Sequence, residues 1–154
     1  MAGINKIIVA VDFSKCSKKA LEEAQFLAKK LSAQLTMVHA MESFADYSLS
    51  PVFLYSDSAY VKDSMDRYAK DNGKKLSKIA AQLKGKGIRM VDFKIAIGSA
   101  HEVIINQAKK LKADLIVMGT HGHAGLDHLI MGSTAERVLR KAPCPVLTVR
   151  PKKT

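Results

Sequence analysis

The chain has 154 residues, 47% of them apolar and 25% charged, enough for one domain with a sizeable core and too few for two of ordinary size. That balance excludes a disordered tail, a collagen and a disulfide-stapled miniprotein. The run Ile7 to Val11 stops at Asp12, far short of the ~20 residues of a spanning helix and too short for a signal-peptide core.

The two cysteines, Cys16 and Cys144, have no metal or redox spacing, and a cytoplasmic location is the default. The net charge of +11 is uneven: the chain is neutral up to Tyr60, and the remainder holds 19 basic and 8 acidic side chains. Lys70, Lys74, Lys75, Lys78, Lys84, Lys86, Arg89 and Lys94 form a dense stretch. It reads either as a solvated helix face or as a field for polyanions.

Ile7 to Val11 is too continuous for a half-exposed strand and reads as a buried parallel one. Ala20, Ala24, Leu27, Ala28 and Leu31 recur at helical spacing, with Glu22 and Glu23 early and Lys29 and Lys30 late, as the helix dipole favours. Leu35 to Ala40 is a second strand. Met41 to Ser58 has no clear period and holds Phe44, Tyr47, Phe53 and Tyr55. It reads as a packed loop or as a flap over a ligand or partner. Val61, Met65, Tyr68, Leu76, Ile79, Ala80 and Leu83 predict a long helix, bent at Asn72-Gly73.

Val91 to Ile97 is a third strand, with Val91, Phe93, Ile95 and Ile97 on one face. Ser99 and Glu102 form a capping box for a helix through Val103, Ile104, Ala108 and Leu111. Leu115 to Met118 is a fourth strand, and a glycine-rich loop runs from Gly119 to Gly132. Ser133 and Glu136 form a second capping box, the helix ends before Pro143, and Val146 to Val149 is a fifth strand. Strands alternating with helices predict an α/β fold, one open parallel sheet covered by helices on both faces, over a single domain of residues 1–154.

The chemistry concentrates in Met118-Gly119-Thr120-His121-Gly122-His123 and Gly132-Ser133-Thr134. Glycines let a ligand approach the backbone. The loop ends at a helix N-terminus, where unpaired N–H groups favour an anion. This suits phosphate, although it matches neither a Walker A loop nor the dinucleotide Gly-x-Gly-x-x-Gly. Ser133 also reads as a plain helix cap, and both readings stay open on the residues alone.

Gly119-x-x-Gly122, nine residues, then Gly132-Ser133 resembles the ATP-binding signature of the universal stress protein family. The opening Lys6 to Ser14 and the closing Pro143 to Val149 resemble that family's first and last strands, so the resemblance covers nearly the whole chain. It implies a five-stranded, Rossmann-like sheet of order 3-2-1-4-5, with Asp12 and Gly119 meeting at the point where the order reverses. By the same resemblance Ala10, Asp12 and Ala40 border adenine and ribose. Met118, Gly119, Thr120, His121, Gly122 and His123 line the phosphate path, and Gly132, Ser133, Thr134 and Ala135 close on the terminal phosphates. Asp12 also reads as a turn residue before Ser14.

The implied cofactor is ATP, with Mg²⁺ held through its phosphates. His123 stands where many ATP-binding relatives have Arg or Lys, which leaves one fixed charge in doubt. Asp127 places a carboxylate near the loop, weakening the field or helping to hold a divalent ion. His121, His123 and His128 lack a Cys or second carboxylate beside them, so the protein alone supplies no metal site in this reading.

The implied role is a cytoplasmic stress-response regulator that passes its ATP-bound state to a protein partner. An ATPase or phosphotransferase in the same cleft is the alternative, but no evident base or arginine finger is present. A nucleic-acid reader lacks a stacking or reading module. The resemblance also implies a homodimer built on Val146, Leu147, Thr148 and Val149, which would be an unblunted outer strand.

Overall fold

Apolar runs of four to eight residues become the five strands β1 (Lys6–Ala10), β2 (Gln34–Met41), β3 (Val91–Ile97), β4 (Leu115–Gly119) and β5 (Val146–Val149). The amphipathic stretches between them become α1 (Lys15–Leu31), α2 (Ser58–Gly85), α3 (Ala100–Leu111) and α4 (Ser133–Lys141). The computed structural model describes residues 3–42, 58–88, 90–121 and 131–150. Phe44, Tyr47, Phe53, Tyr55, Gly122, His123, Asp127 and His128 lie outside the described residues.

All four strand pairs are parallel, as the alternation of strands and helices predicts, and the order is β3-β2-β1-β4-β5, as the family resemblance implies. Alternate residues of each strand feed two cores. Ile7, Val9, Leu35, Met37, Val91, Leu115 and Val117 pack with Ala20, Ala24 and Ala28 of α1 and with Leu76, Ala80 and Leu83 of α2. Ile8, Val38, Ile116 and Met118 pack with Val103, Ile104 and Ala108 of α3 and with Ala135 and Val138 of α4. The central strands are therefore buried on both sides, which explains their unbroken apolar runs. Each fully buried Ile or Leu contributes about 1.5–3 kcal/mol through area removed from water. Among the described residues no helix is long and apolar enough to cross a membrane.

Three local details refine or correct the expectations. Helix α2 is continuous through Asn72-Gly73, because Asn72 is buried and hydrogen-bonded rather than solvent-facing. Ser99 stands at the N-cap of α3 but its side chain makes no cap bond. Its hydroxyl donates instead to Glu102 Oε2 at 2.8 Å, so the pair is closed on itself. Ile97 is 60% exposed, since β3 is an edge strand and Ile97 is its last residue.

Candidate functional site

The sheet order reverses between β1 and β4. Val9 lies opposite Val117, so Asp12 and Thr120, each three residues further on, leave the same carboxyl edge side by side. In β2, Val38 lies opposite Ala10, which puts Ala40 at that edge as well. Ala10 and Ala40 are half-buried against the core beneath α3 and α4. The small side chains leave room above them.

Asp12 Oδ1 accepts the Ser14 N–H at 2.8 Å. Ser14 caps α1, its Oγ accepting the Ser17 N–H at 3.1 Å. Between them Phe13 takes a left-handed backbone, φ 64°, a conformation that costs a non-glycine residue about 1–3 kcal/mol and persists only where its surroundings impose it. The turn reading of Asp12 is therefore realised on one carboxylate oxygen.

Helix α4 starts at the same edge. Its N-cap is Gly132, which has no side chain to bond the first turn, and Ser133 is the first helical residue. The predicted Ser133–Glu136 capping box does not form, and Glu136 pairs with Arg140 at 2.8 Å. Ser133 is exposed, and among the described residues no side chain caps the first turn. Gly132 N–H donates to the Thr120 carbonyl at 2.8 Å, and Thr120 N–H donates to the Val149 carbonyl at 3.0 Å. These two bonds tie the helix start to the ends of β4 and β5.

The glycines divide by role. A Cβ at Gly119 would meet Cys16 Cβ at 2.7 Å and the Cys16 carbonyl carbon at 3.1 Å. Gly119 therefore lets α1 lie against β4, which is a packing requirement. A Cβ at Gly132 would stand 3.0 Å from the Thr120 carbonyl oxygen, tight enough to strain the closure of the loop.

Of the other predicted residues, Met118 and Ala135 bury their side chains in the core, so only their backbone can face a ligand. Thr120 is buried and its hydroxyl lies 2.9 Å from His121 Nδ1. Thr134 is half-buried at the start of α4. Gly122 and His123 lie outside the described residues. Among the described residues no three His, Cys, Asp or Glu side chains gather to hold a metal. Burial pushes the Cys144 thiol up, helped by the Asp114 charge, which disfavours a reactive thiolate. An open cavity of about 280 Å³ lies at the opposite, amino edge, lined by Gln34, Lys84 and Asp92 among others, away from the switch point.

Sequence reasoning missed His39 and Asn72, which form a buried hydrogen-bonded pair beneath the Asp12 turn. The available signal was a polar residue at an apolar position of each element.

The comparisons agree with this fold. Residues 3–150 match the model of the universal stress protein family. The chain is similar to universal stress protein A homolog 2 of Coxiella burnetii, 35% identical over 151 residues and 97% of each chain. It is also similar to the solved structure of UspA from Lactobacillus plantarum, with TM-score 0.77, 26% identity and coverage of 97% of this chain and 100% of that one. A universal stress protein family protein of Arabidopsis thaliana with AMP bound shares the fold, with TM-score 0.67, 19% identity and coverage of 96% and 92%. Family model, relatives and fold thus converge: the chain belongs to the universal stress protein family.

Proposed function

We propose that the protein binds ATP at the carboxyl ends of β1 and β4 and acts as a cytoplasmic stress-response regulator rather than an enzyme. The observation that carries the reading is the uncapped start of α4. Gly132 stands where a capping side chain would, so among the described residues no side chain competes with an anion for the first-turn N–H groups and the Ser133 and Thr134 hydroxyls, and the helix dipole adds to the field. The AMP bound by the Arabidopsis relative supports an adenine nucleotide as that anion.

Ala10, Asp12 and Ala40 would border adenine and ribose. The backbone from Met118 to Thr120, with His121, Gly122 and His123, would follow the phosphates, and Gly132 to Ala135 would close on the terminal ones. Mg²⁺ would arrive on the phosphates, supplying charge neutralisation there. The residues at the switch point can bind and orient; the reading gives none of them a base's role.

Ser133→Ala tests this reading. With the hydroxyl bonded to a charged phosphate, ATP affinity falls by about 1.5–3 kcal/mol in calorimetric titration. The unfolding midpoint stays unchanged, because the hydroxyl caps nothing. Lower stability with unaltered affinity would return Ser133 to a purely structural role.

We also propose a two-fold homodimer through β5, the outer strand next to β4. Ile116 N–H and Thr120 N–H donate to the carbonyls of Pro145 and Val149 at 3.0 Å each. The odd-numbered residues of β5 thus face β4, and the backbone groups of Val146 and Thr148 face outward. Pairing with a second copy would satisfy them and cover Leu147, which is 37% exposed. Light scattering of the wild type at micromolar concentration should give twice the chain mass. Thr148→Pro removes an outward N–H without touching the ladder to β4 and should give the monomer. A wild-type monomer mass would end the dimer reading.

A further inference from the structure

We propose that His39 and Asn72 are a positioning pair that sets the Asp12 turn and couples nucleotide occupancy to helix α2. This rests on the reading that the nucleotide lies against Asp12. Both side chains are buried, His39 at 4% and Asn72 at 1% exposure, in an interface otherwise built from Leu76, Ala80, Met37 and their neighbours. Polar groups persist in such a place only when their hydrogen bonds are made, and here they are.

His39 Nδ1 lies 2.7 Å from the Val11 carbonyl oxygen. A carbonyl only accepts, so Nδ1 carries the proton. Nε2 of the neutral ring is then the acceptor, 3.1 Å from the Asn72 side-chain nitrogen, which donates. The chain of bonds runs Asn72 to His39 to Val11.

Val11 is the residue before Asp12. Its N–H still donates to the Val38 carbonyl at 2.9 Å, but β1 has ended and its carbonyl is taken by the imidazole instead. The next residues are the Asp12 turn and Phe13 with its left-handed backbone. The Phe13 ring packs on the His39 ring with centroids 5.0 Å apart, and Lys75 Nζ stands 5.3 Å from the Phe13 ring centroid. Two residues of α2, Asn72 and Lys75, thereby hold the strained turn from below, one through His39 and one through Phe13.

Asn72 also lies on α2 close to the carboxyl end of β3. The Cβ position of Gly73 is 3.8 Å from Ile95 Cδ1, and β3 ends two residues later at Ile97. Helix α2 begins at Ser58, so fourteen residues, about 20 Å at 1.5 Å per residue, precede Asn72 on the side of the carboxyl edge that carries the site. A ligand that fixes Asp12 fixes the root of that segment, and by linkage the root affects the ligand equally.

The test is Asn72→Leu, which keeps the number and branching of side-chain heavy atoms and removes the donor. ATP·Mg²⁺ should bind about tenfold more weakly than to the wild type, within the usual span of coupling between linked sites. In the wild type, saturating ATP should shift the His39 Nε2 nitrogen resonance and slow amide exchange in α2 at residues 72–76. Wild-type affinity in Asn72→Leu overturns the proposal. Should that variant fail to fold, an unshifted His39 resonance and unchanged α2 exchange in ATP-saturated wild type overturn it equally. A wild type that binds no ATP removes this inference and the ATP reading together, whereas ATP binding with His39 and α2 unmoved removes this inference alone.

Discussion

Gly119→Ala is expected to lower stability by about 2–3 kcal/mol, the upper part of the range for overpacking a well-filled core. The added Cβ would sit 2.7 Å from Cys16 Cβ and 3.1 and 3.3 Å from the Cys16 carbonyl carbon and oxygen. No rotamer change relieves a contact with backbone, so α1 must move away from β4 or the strand must bend. Both responses open the core where Val117, Val9 and Ala20 meet. For a chain of this length a melting shift of about 2–4 °C accompanies each kcal/mol. Thermal unfolding of purified Gly119→Ala measures it, and a midpoint equal to the wild type's would show that the close approach of α1 to β4 is not required.

Gly122→Val is expected to fail differently, losing ATP affinity by about a hundredfold or more, roughly 2.7 kcal/mol. The two ends of its loop are tied by the Gly132 to Thr120 bond, and the proposed phosphate path runs along the backbone between them. A branched side chain on that path takes the space a phosphate needs to reach the N–H groups. Calorimetric titration reads the result directly, and normal affinity in Gly122→Val would place the nucleotide elsewhere. The two glycines belong to one sequence signature, yet Gly119 also carries a packing requirement that the spacing does not express.

That requirement marks the edge of what the sequence could express. Strands β1 and β4 were legible because each is buried on both faces and apolar throughout, as Ile7 to Val11 and Leu115 to Met118 are. Their order came from the family resemblance, since periodicity carries no information on which strands adjoin. The contact of Gly119 with Cys16 joins residues far apart in sequence, and no local pattern encodes it.

On the residues alone Ser133 reads as a cap as well as a phosphate donor, because Ser and Glu at that spacing satisfy the local rule. The bond from Gly132 N–H to Thr120 places the helix start one residue earlier than the rule does. Asn72-Gly73 was read as a bend because both residues break helices in isolation. Asn72 nevertheless falls in register with Leu76, Ala80 and Leu83 on the buried face of α2, and its partner His39 lies on another element.

The central claim, that ATP occupies the switch point between β1 and β4, is tested most directly by amide hydrogen exchange of the wild type with and without saturating ATP·Mg²⁺. Slowed exchange concentrated in Asp12 to Ser14, Gly119 to Gly122 and Gly132 to Ala135 is the predicted result. Unchanged exchange at those three segments, with or without protection elsewhere in the chain, would contradict it.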